Sequence, residues 1–230
     1  NTPTAFIFLV DHSVSMVKKT TLYGEEMTMA EAAARIVNSQ INELVLRCVK
    51  MGDTRHYYDI AVIGYGERAY SGWQGELEGR DFVSPEELKN HPYTKIVTRK
   101  ETRTRKGTQI KEVEQVQWVS AQHNGSWTHY HEAFGYAKRL LDEWMKEHHE
   151  KDCYPPTIIN ITDGALNGIP NPREVNTQLA NELKALFTND GNVLLWNIHI
   201  TPDSKDQLVF PISKTELNSD KYSEWLYDMS

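Results

Sequence analysis

An α/β fold, doubly wound around a mainly parallel central sheet with helices on both faces, is predicted by two observations. Short apolar runs that read as strands alternate along the chain with segments whose apolar residues recur at helical spacing. Two of those runs, Ala5 to Val10 and Pro156 to Ile161, end in polar clusters rich in oxygen donors. In open α/β sheets, ligand crevices lie at the carboxyl ends of strands.

Ala5 to Val10 are six unbroken apolar residues, too few to span a membrane and suited to a buried central strand. A polar loop follows. Thr28-Met29-Ala30-Glu31 has the capping-box pattern, in which Thr28 caps the helix and Glu31 returns a bond. Val37, Ile41, Leu44 and Cys48 continue at helical spacing to a close near Met51-Gly52-Asp53. Asp59 to Tyr65 reads as the next strand and Arg68 to Trp73 as a short edge strand. Residues 75–117 break the rhythm and are expected to form an insertion. Ser84-Pro85-Glu86-Glu87 opens a short helix with Pro at its first position, and Lys95 to Val119 forms a polar two-stranded ribbon turning near Lys106-Gly107. Thr128 to His149 is the next helix, with Ala133, Ala137, Leu140, Leu141 and Trp144 buried. After the Ile158–Ile161 strand, Asn171-Pro172-Arg173-Glu174 caps a helix that turns Val175, Leu179, Leu183 and Leu186 inward. A buried strand at Val193–Ile200, a last strand at Gln207–Ile212 and a terminal helix from Tyr222 complete the alternation.

A chain of 230 residues suffices for one α/β domain spanning 1–230, burying roughly 70–75% of its unfolded surface. With 39% hydrophobic and 25% charged residues, a packed core is expected rather than disorder. Lys and Arg total 25 against 32 acidic residues, a net charge of −7, which argues against a dedicated nucleic-acid binder or an anionic-membrane protein. Cys48 and Cys153 are expected as reduced thiols. No apolar run approaches a membrane span, and no basic-then-apolar signal pattern precedes the first strand. A cytoplasmic location follows as the expectation, although the chain opens at Asn1 rather than Met, which is compatible with an upstream segment.

The strand ends carry the chemistry. Asp11-His12-Ser13-Val14-Ser15 presents one carboxylate and two hydroxyls at i, i+2 and i+4 directly behind the first strand. Three oxygen donors on one short loop suit a hard divalent cation such as Mg²⁺. Thr162-Asp163-Gly164 offers a second carboxylate behind another strand. Taken singly, a Ser-rich loop also suits a helix cap, and Asp-Gly suits a plain turn. Together and in this order they point to a cation site.

The pattern Asp11-x-Ser13-x-Ser15 after a buried first strand resembles the metal-ion-dependent adhesion site of von Willebrand factor A domains. That site has two further parts, matched here by Thr128 in Asn124-Gly125-Ser126-Trp127-Thr128 and by Asp163. The family usually places Gly before this Thr, where Trp127 stands, and often Gly where Val14 stands; neither change removes an oxygen donor. The resemblance implies a Rossmann-like sheet with one antiparallel edge strand and helices on both faces. It implies an ion (Mg²⁺, with Mn²⁺ or Ca²⁺ as substitutes) held directly by Ser13 and Ser15, by Thr128 in a ligand-engaged state, and through waters by Asp11 and Asp163. Neutral hydroxyls leave such an ion under-neutralised, so a carboxylate from a partner protein's Asp or Glu can complete it. His12, Trp127 and His129 would form the partner-binding rim. Family members of this kind include intracellular scaffolds such as bacterial tellurite-resistance-type proteins, and binding rather than catalysis is the expected role.

Two other features compete. His12, His129 and His131 could ligate a transition metal, or His12 or His129 could serve as base in a metal-dependent hydrolase. However, His129-x-His131 is not a helical ligand spacing, and rim or packing roles are the expectation. Lys95, Arg99, Lys100, Arg103, Arg105 and Lys106 make a basic ribbon, a candidate grip for nucleic acid or simply a solvated edge that blocks sheet pairing. His148-His149 is expected to complement a helix dipole, and Trp73 and Trp118 to be packing residues. Gly-x-Ser-x-Gly, P-loop and His-Glu-x-x-His motifs are absent from the sequence.

Overall fold

The computed structural model describes residues 3–104, 107–123, 125–148, 152–202, 209–217 and 220–230, with the backbone alone for 96–104 and 107–114. Seven strands and five helices set the architecture: β1 (Thr4–Asp11), α1 (Met29–Cys48), β2 (Tyr58–Tyr65), β3 (Ala69–Ser71), α2 (Pro85–Asn90), β4 (Thr94–Thr104), β5 (Gly107–Gln117), α3 (Tyr130–His148), β6 (Thr157–Thr162), α4 (Pro172–Ala185), β7 (Leu194–His199) and α5 (Lys221–Met229). The central sheet has the order β7-β6-β1-β2-β3. Its first four strands are parallel and β3 pairs antiparallel with β2. This mainly parallel sheet with one antiparallel edge is the Rossmann-like architecture expected above.

Side-chain alternation along β1 assigns the two layers. Ala5, Ile7 and Leu9 pack with α3, α4 and α5 residues such as Phe134, Leu183 and Trp225. Phe8 and Val10 pack with α1 and with Trp73, Leu88 of α2 and Trp118. The capping box of α1 forms as expected: the Glu31 N–H donates to Thr28 Oγ1 (3.1 Å) and the Thr28 N–H to Glu31 Oε2 (2.7 Å). Ser84 and Glu87 build a second one at α2. The ribbon β4–β5 pairs from Thr94↔Gln117 to Thr104↔Gly107. Its foot is held by Asn38 on the buried face of α1, whose Oδ1 accepts the Trp118 and Val119 N–H groups while its Nδ2 donates to the Val119 carbonyl. Trp73 and Trp118 are packing residues, each 2% exposed. Of the basic ribbon, Lys95 belongs to β4; the side chains of Arg99, Lys100, Arg103, Arg105 and Lys106 lie outside the described residues.

Several expectations are corrected. The polar loop after β1 contains a hairpin, Lys19–Leu22 with Glu25–Thr28, turning at Tyr23-Gly24, both with positive φ. α1 ends at Cys48, and Met51-Gly52 instead turns a short hairpin. The expected buried strand at Val193–Ile200 is the sheet edge β7, where Leu194 and Trp196 are 42% and 44% exposed. No strand forms at Val209–Ile212, whose apolar side chains are exposed; Gln207 and Leu208 lie outside the described residues. On α4, Asn176, Ala180 and Leu183 are buried, while Val175, Leu179 and the C-cap residue Leu186 are half-buried. Asn171 holds the N-cap position without a side-chain bond. Cys153 sits in a loop yet is buried. His148, in the last turn of α3, stacks on Trp144 and bonds the Trp144 carbonyl, in keeping with its expected place at a helix end; His149 lies outside the described residues. No helix among the described residues is long and apolar enough to cross a membrane.

Candidate functional site

β1 has β2 on one side and β6 on the other, so the chain winds away from β1 in both directions and the carboxyl ends of β1 and β6 form the topological switch point, where open α/β sheets place their ligand crevice. Parallel register brings Val10 beside Ile161, and the next residue of each strand meets across the pair: Thr162 Oγ1 donates to Asp11 Oδ2 at 2.7 Å. The other carboxylate oxygen, Asp11 Oδ1, accepts the Ser13 N–H at 2.8 Å. This Asx-type turn lifts the chain off the strand and sets the Ser13 and Ser15 hydroxyls 2.9 Å apart.

A third loop locks onto the first through backbone. Ser13 bridges Gly125 in parallel fashion, the Val14 N–H donates to the Gly125 carbonyl (2.6 Å) and the Gly125 N–H to the His12 carbonyl (3.1 Å). A Cβ at Gly125 would lie 2.8 Å from the Gly66 Cα, so only glycine permits this approach. Three residues on, Thr128 is 2% exposed and its N–H donates to Asn167 Oδ1 at 2.6 Å. The Thr128 Oγ1 is buried and has no hydrogen-bond partner among the described residues. Asp163, 8% exposed, accepts the Ala165 N–H through Oδ1 at 3.0 Å, and the Lys18 Nζ stands 3.9 Å from its Oδ2.

Charge is poorly met here. Asp11 is completely buried, and its donors are a backbone amide and a hydroxyl, neither charged. Burial pushes its carboxyl up to about 6; the Ser13 and Thr162 hydrogen bonds oppose this, and the nearby Asp163 charge adds to it. Tyr130 donates to Thr162 Oγ1 from beneath, and Tyr65 donates to Asn160 Oδ1. Burial holds both phenols well above their ordinary value, so they remain neutral donors.

The residues present fit a divalent cation. Buried carboxylate charge without a cationic partner and a buried hydroxyl without any partner are both costly. An oxygen-seeking ion among Asp11, Ser13, Ser15, Thr128 and Asp163 would relieve both.

The three rim candidates fare differently. Trp127 is 49% exposed beside Thr128. His129 is half-buried, its Nδ1–H donating to the Glu67 carbonyl at 2.8 Å. His12 does not stand on a rim: it is 6% exposed, its Nδ1 lies 2.6 Å from the Tyr70 hydroxyl, and a Cβ at Gly64 would come within 2.5 Å of its ring. Burial lowers its pKa to about 4, so it is a neutral packing residue. One strand-following residue points inward with the strand, and this is what the rim expectation for His12 overlooked.

Thr162, Tyr130 and Asn167 are contributors that the sequence reading missed. Thr162 carried a usable signal, since strand alternation places it on the same face as Asn160 and opposite Asp11. Tyr130 and Asn167 carried none, because their roles depend on how α3 and the loop after β6 dock.

No family model matches this chain, and no curated protein matches it. Solved structures similar to it include the conserved hypothetical protein BatB from Bacteroides thetaiotaomicron, at 13% identity over 98% of this chain and 86% of that one, with a TM-score of 0.43. The manganese-loaded TRAP protein of Plasmodium vivax is similar at 15% identity over 86% of this chain and 57% of that one, with a TM-score of 0.40. Proximal thread matrix protein 1 from the mussel byssus aligns at 14% identity over 100% of this chain and 46% of that one, with a TM-score of 0.45.

Proposed function

We propose that this chain is a divalent-cation-dependent protein-binding module, a scaffold or adhesion domain that captures an acidic side chain of a partner. The observation that carries this reading is the buried, unpartnered Thr128 hydroxyl at a crevice whose buried Asp11 has only neutral donors. In this reading Ser13, Ser15 and Thr128 supply hydroxyl oxygens and Asp11 and Asp163 supply charge. Bound there, Mg²⁺ would offer an electrophilic coordination position to a carboxylate, because neutral hydroxyls leave its charge under-neutralised. The protein's own work is orientation. Tyr130 and Thr162 fix Asp11 from below, the Gly125 backbone fixes the Ser13 loop, and Asn167 fixes Thr128. Trp127 gives an exposed aromatic wall for the partner.

Of the two histidines that could serve as base in a hydrolase, His12 is withdrawn, its Nδ1 engaged by Tyr70 in a buried setting. The test is capture of proteins from a lysate by wild type and by Asp163→Ala, each with Mg²⁺ and with chelator. A partner retained by wild type with Mg²⁺ alone supports the reading. Equal retention in all four samples overturns it.

A further inference from the structure

We propose that His129, His131 and Glu132 form a second cation site, distinct from the oxygen-lined crevice and suited to Zn²⁺. The three side chains bring a ligand atom each to within 4.8 Å of one another. Each histidine of the cluster has a ring nitrogen without a protein partner: His129 Nε2 and His131 Nδ1 are both buried and unbonded among the described residues. An imidazole nitrogen kept from water without a hydrogen bond is costly, and two of them in one cluster call for a common ligand.

The surroundings pre-arrange the set. The His129 Nδ1–H donates to the Glu67 carbonyl, which fixes the tautomer and leaves the Nε2 lone pair for a metal, the arrangement that backbone carbonyls give metal-bound histidines. Glu132 Oε2 accepts the Ala69 N–H at 3.2 Å, which orients the carboxylate. The His129 N–H is tied to the Gly66 carbonyl. Gly168, at φ +88°, gives the His129 ring its room, since a Cβ there would come within 2.1 Å of Nε2. Burial and the neighbouring His129 hold His131 below the ordinary histidine range, so its ring is neutral near pH 7.

Spacing had argued against this pair, because residues i and i+2 diverge on a helix. That objection does not apply: α3 begins at Tyr130, so His129 precedes the helix, and the two rings lie with centroids 5.1 Å apart. Two imidazoles and one carboxylate make a borderline nitrogen–oxygen set, which favours Zn²⁺ or Co²⁺ over Mg²⁺ and leaves a fourth position for water. A cation here would tie the turn between β2 and β3 to the start of α3.

The experiment is titration of the full chain with Zn²⁺, and with Co²⁺ read by its visible ligand-field bands, under saturating Mg²⁺. Wild type should bind one equivalent, and His131→Gln and Glu132→Gln should each weaken it on the order of tenfold or more. Glu132→Gln keeps an oxygen for the Ala69 N–H, so it carries the test even if the histidine variant fails to fold. Asp11→Ala should bind Zn²⁺ as wild type does, which separates this site from the crevice. Equal Zn²⁺ affinity in wild type and Glu132→Gln, or loss of Zn²⁺ binding in Asp11→Ala, overturns the proposal.

Discussion

Asp11 is anchored entirely by neutral donors, and this has a measurable cost in the metal-free protein. Its carboxyl is raised from 3.8 to about 6 in the fold, so between those values the folded chain holds a proton that the unfolded chain has released. Stability of the metal-free protein therefore falls as pH rises from about 4 to about 6, the reverse of a salt-bridged aspartate. Asp11→Asn should remove that slope and raise metal-free stability near pH 7 by on the order of 1–2 kcal/mol, after allowing for one poorer hydrogen bond to Thr162. Thermal unfolding in chelator checks this, and no gain in Tm would sink it. Thr128→Val is the companion case. Removing a buried hydroxyl that has no partner should leave the metal-free Tm unchanged or higher, while Mg²⁺ affinity falls by at least the roughly tenfold that losing a supporting group costs at metal sites. Calorimetric titration with Mg²⁺ reads the second half, and unchanged affinity would count against Thr128 as a ligand.

Elements owe their positions to polar devices as much as to apolar stripes. Glu31 is held below the ordinary carboxylate range by its bonds to the Thr28 backbone and hydroxyl, so its contribution is complete above about pH 4.5 and disappears as pH falls through the depressed value. Glu31→Gln should flatten the acid limb of the stability curve there, and an unchanged limb would show that the box adds nothing. Asn38 has larger consequences, because it answers three backbone groups at the foot of the ribbon. Asn38→Leu should cost about 3 kcal/mol through the amides and carbonyl left unpaired, seen as a lower denaturant midpoint.

How far these elements were legible depended on which signal defined them. β1, α1, α2 and α3 announced themselves through apolar runs, caps and period. The edge position of β7 did not, since an apolar run looks alike whether one face or two is covered, and only docking decides. The exposed stretch at Val209–Ile212 misled for the same reason. Asp11, Ser13, Ser15 and Asp163 were readable as strand-end donors because topology alone brings strand ends together. His12 was misread because its direction follows from the strand pleat, and Asn167 was unreadable because a loop's reach has no sequence period.

On the scale of the whole molecule, α5 closes the layer beneath the crevice. Trp225, Leu226 and Met229 are buried among residues of β1, α3 and α4, and Tyr222 packs so near Gly164 that a Cβ there would lie 2.7 Å away. His199 Nε2 reaches the Asp163 carbonyl at 3.0 Å while its Nδ1 lies 2.8 Å from Ser223 Oγ on α5, so the last helix and the second carboxylate share a support. Trp225→Ala should cost about 3–5 kcal/mol through the cavity it leaves and lower Tm by roughly 10 °C. A drop of only a degree or two would mean that α5 frays from the body in solution.

The contact between Gly66 and Gly125 sorts the crevice into parts that can change and parts that cannot. Backbone meets backbone there, so the floor under Ser13 is the same whatever side chains surround it. Ser126 and Trp127, exposed on the following turn, take no share in that floor. Exchanging them rewrites the surface shown to the outside and leaves the frame untouched, so new preferences can be selected at the rim without re-solving the fold beneath.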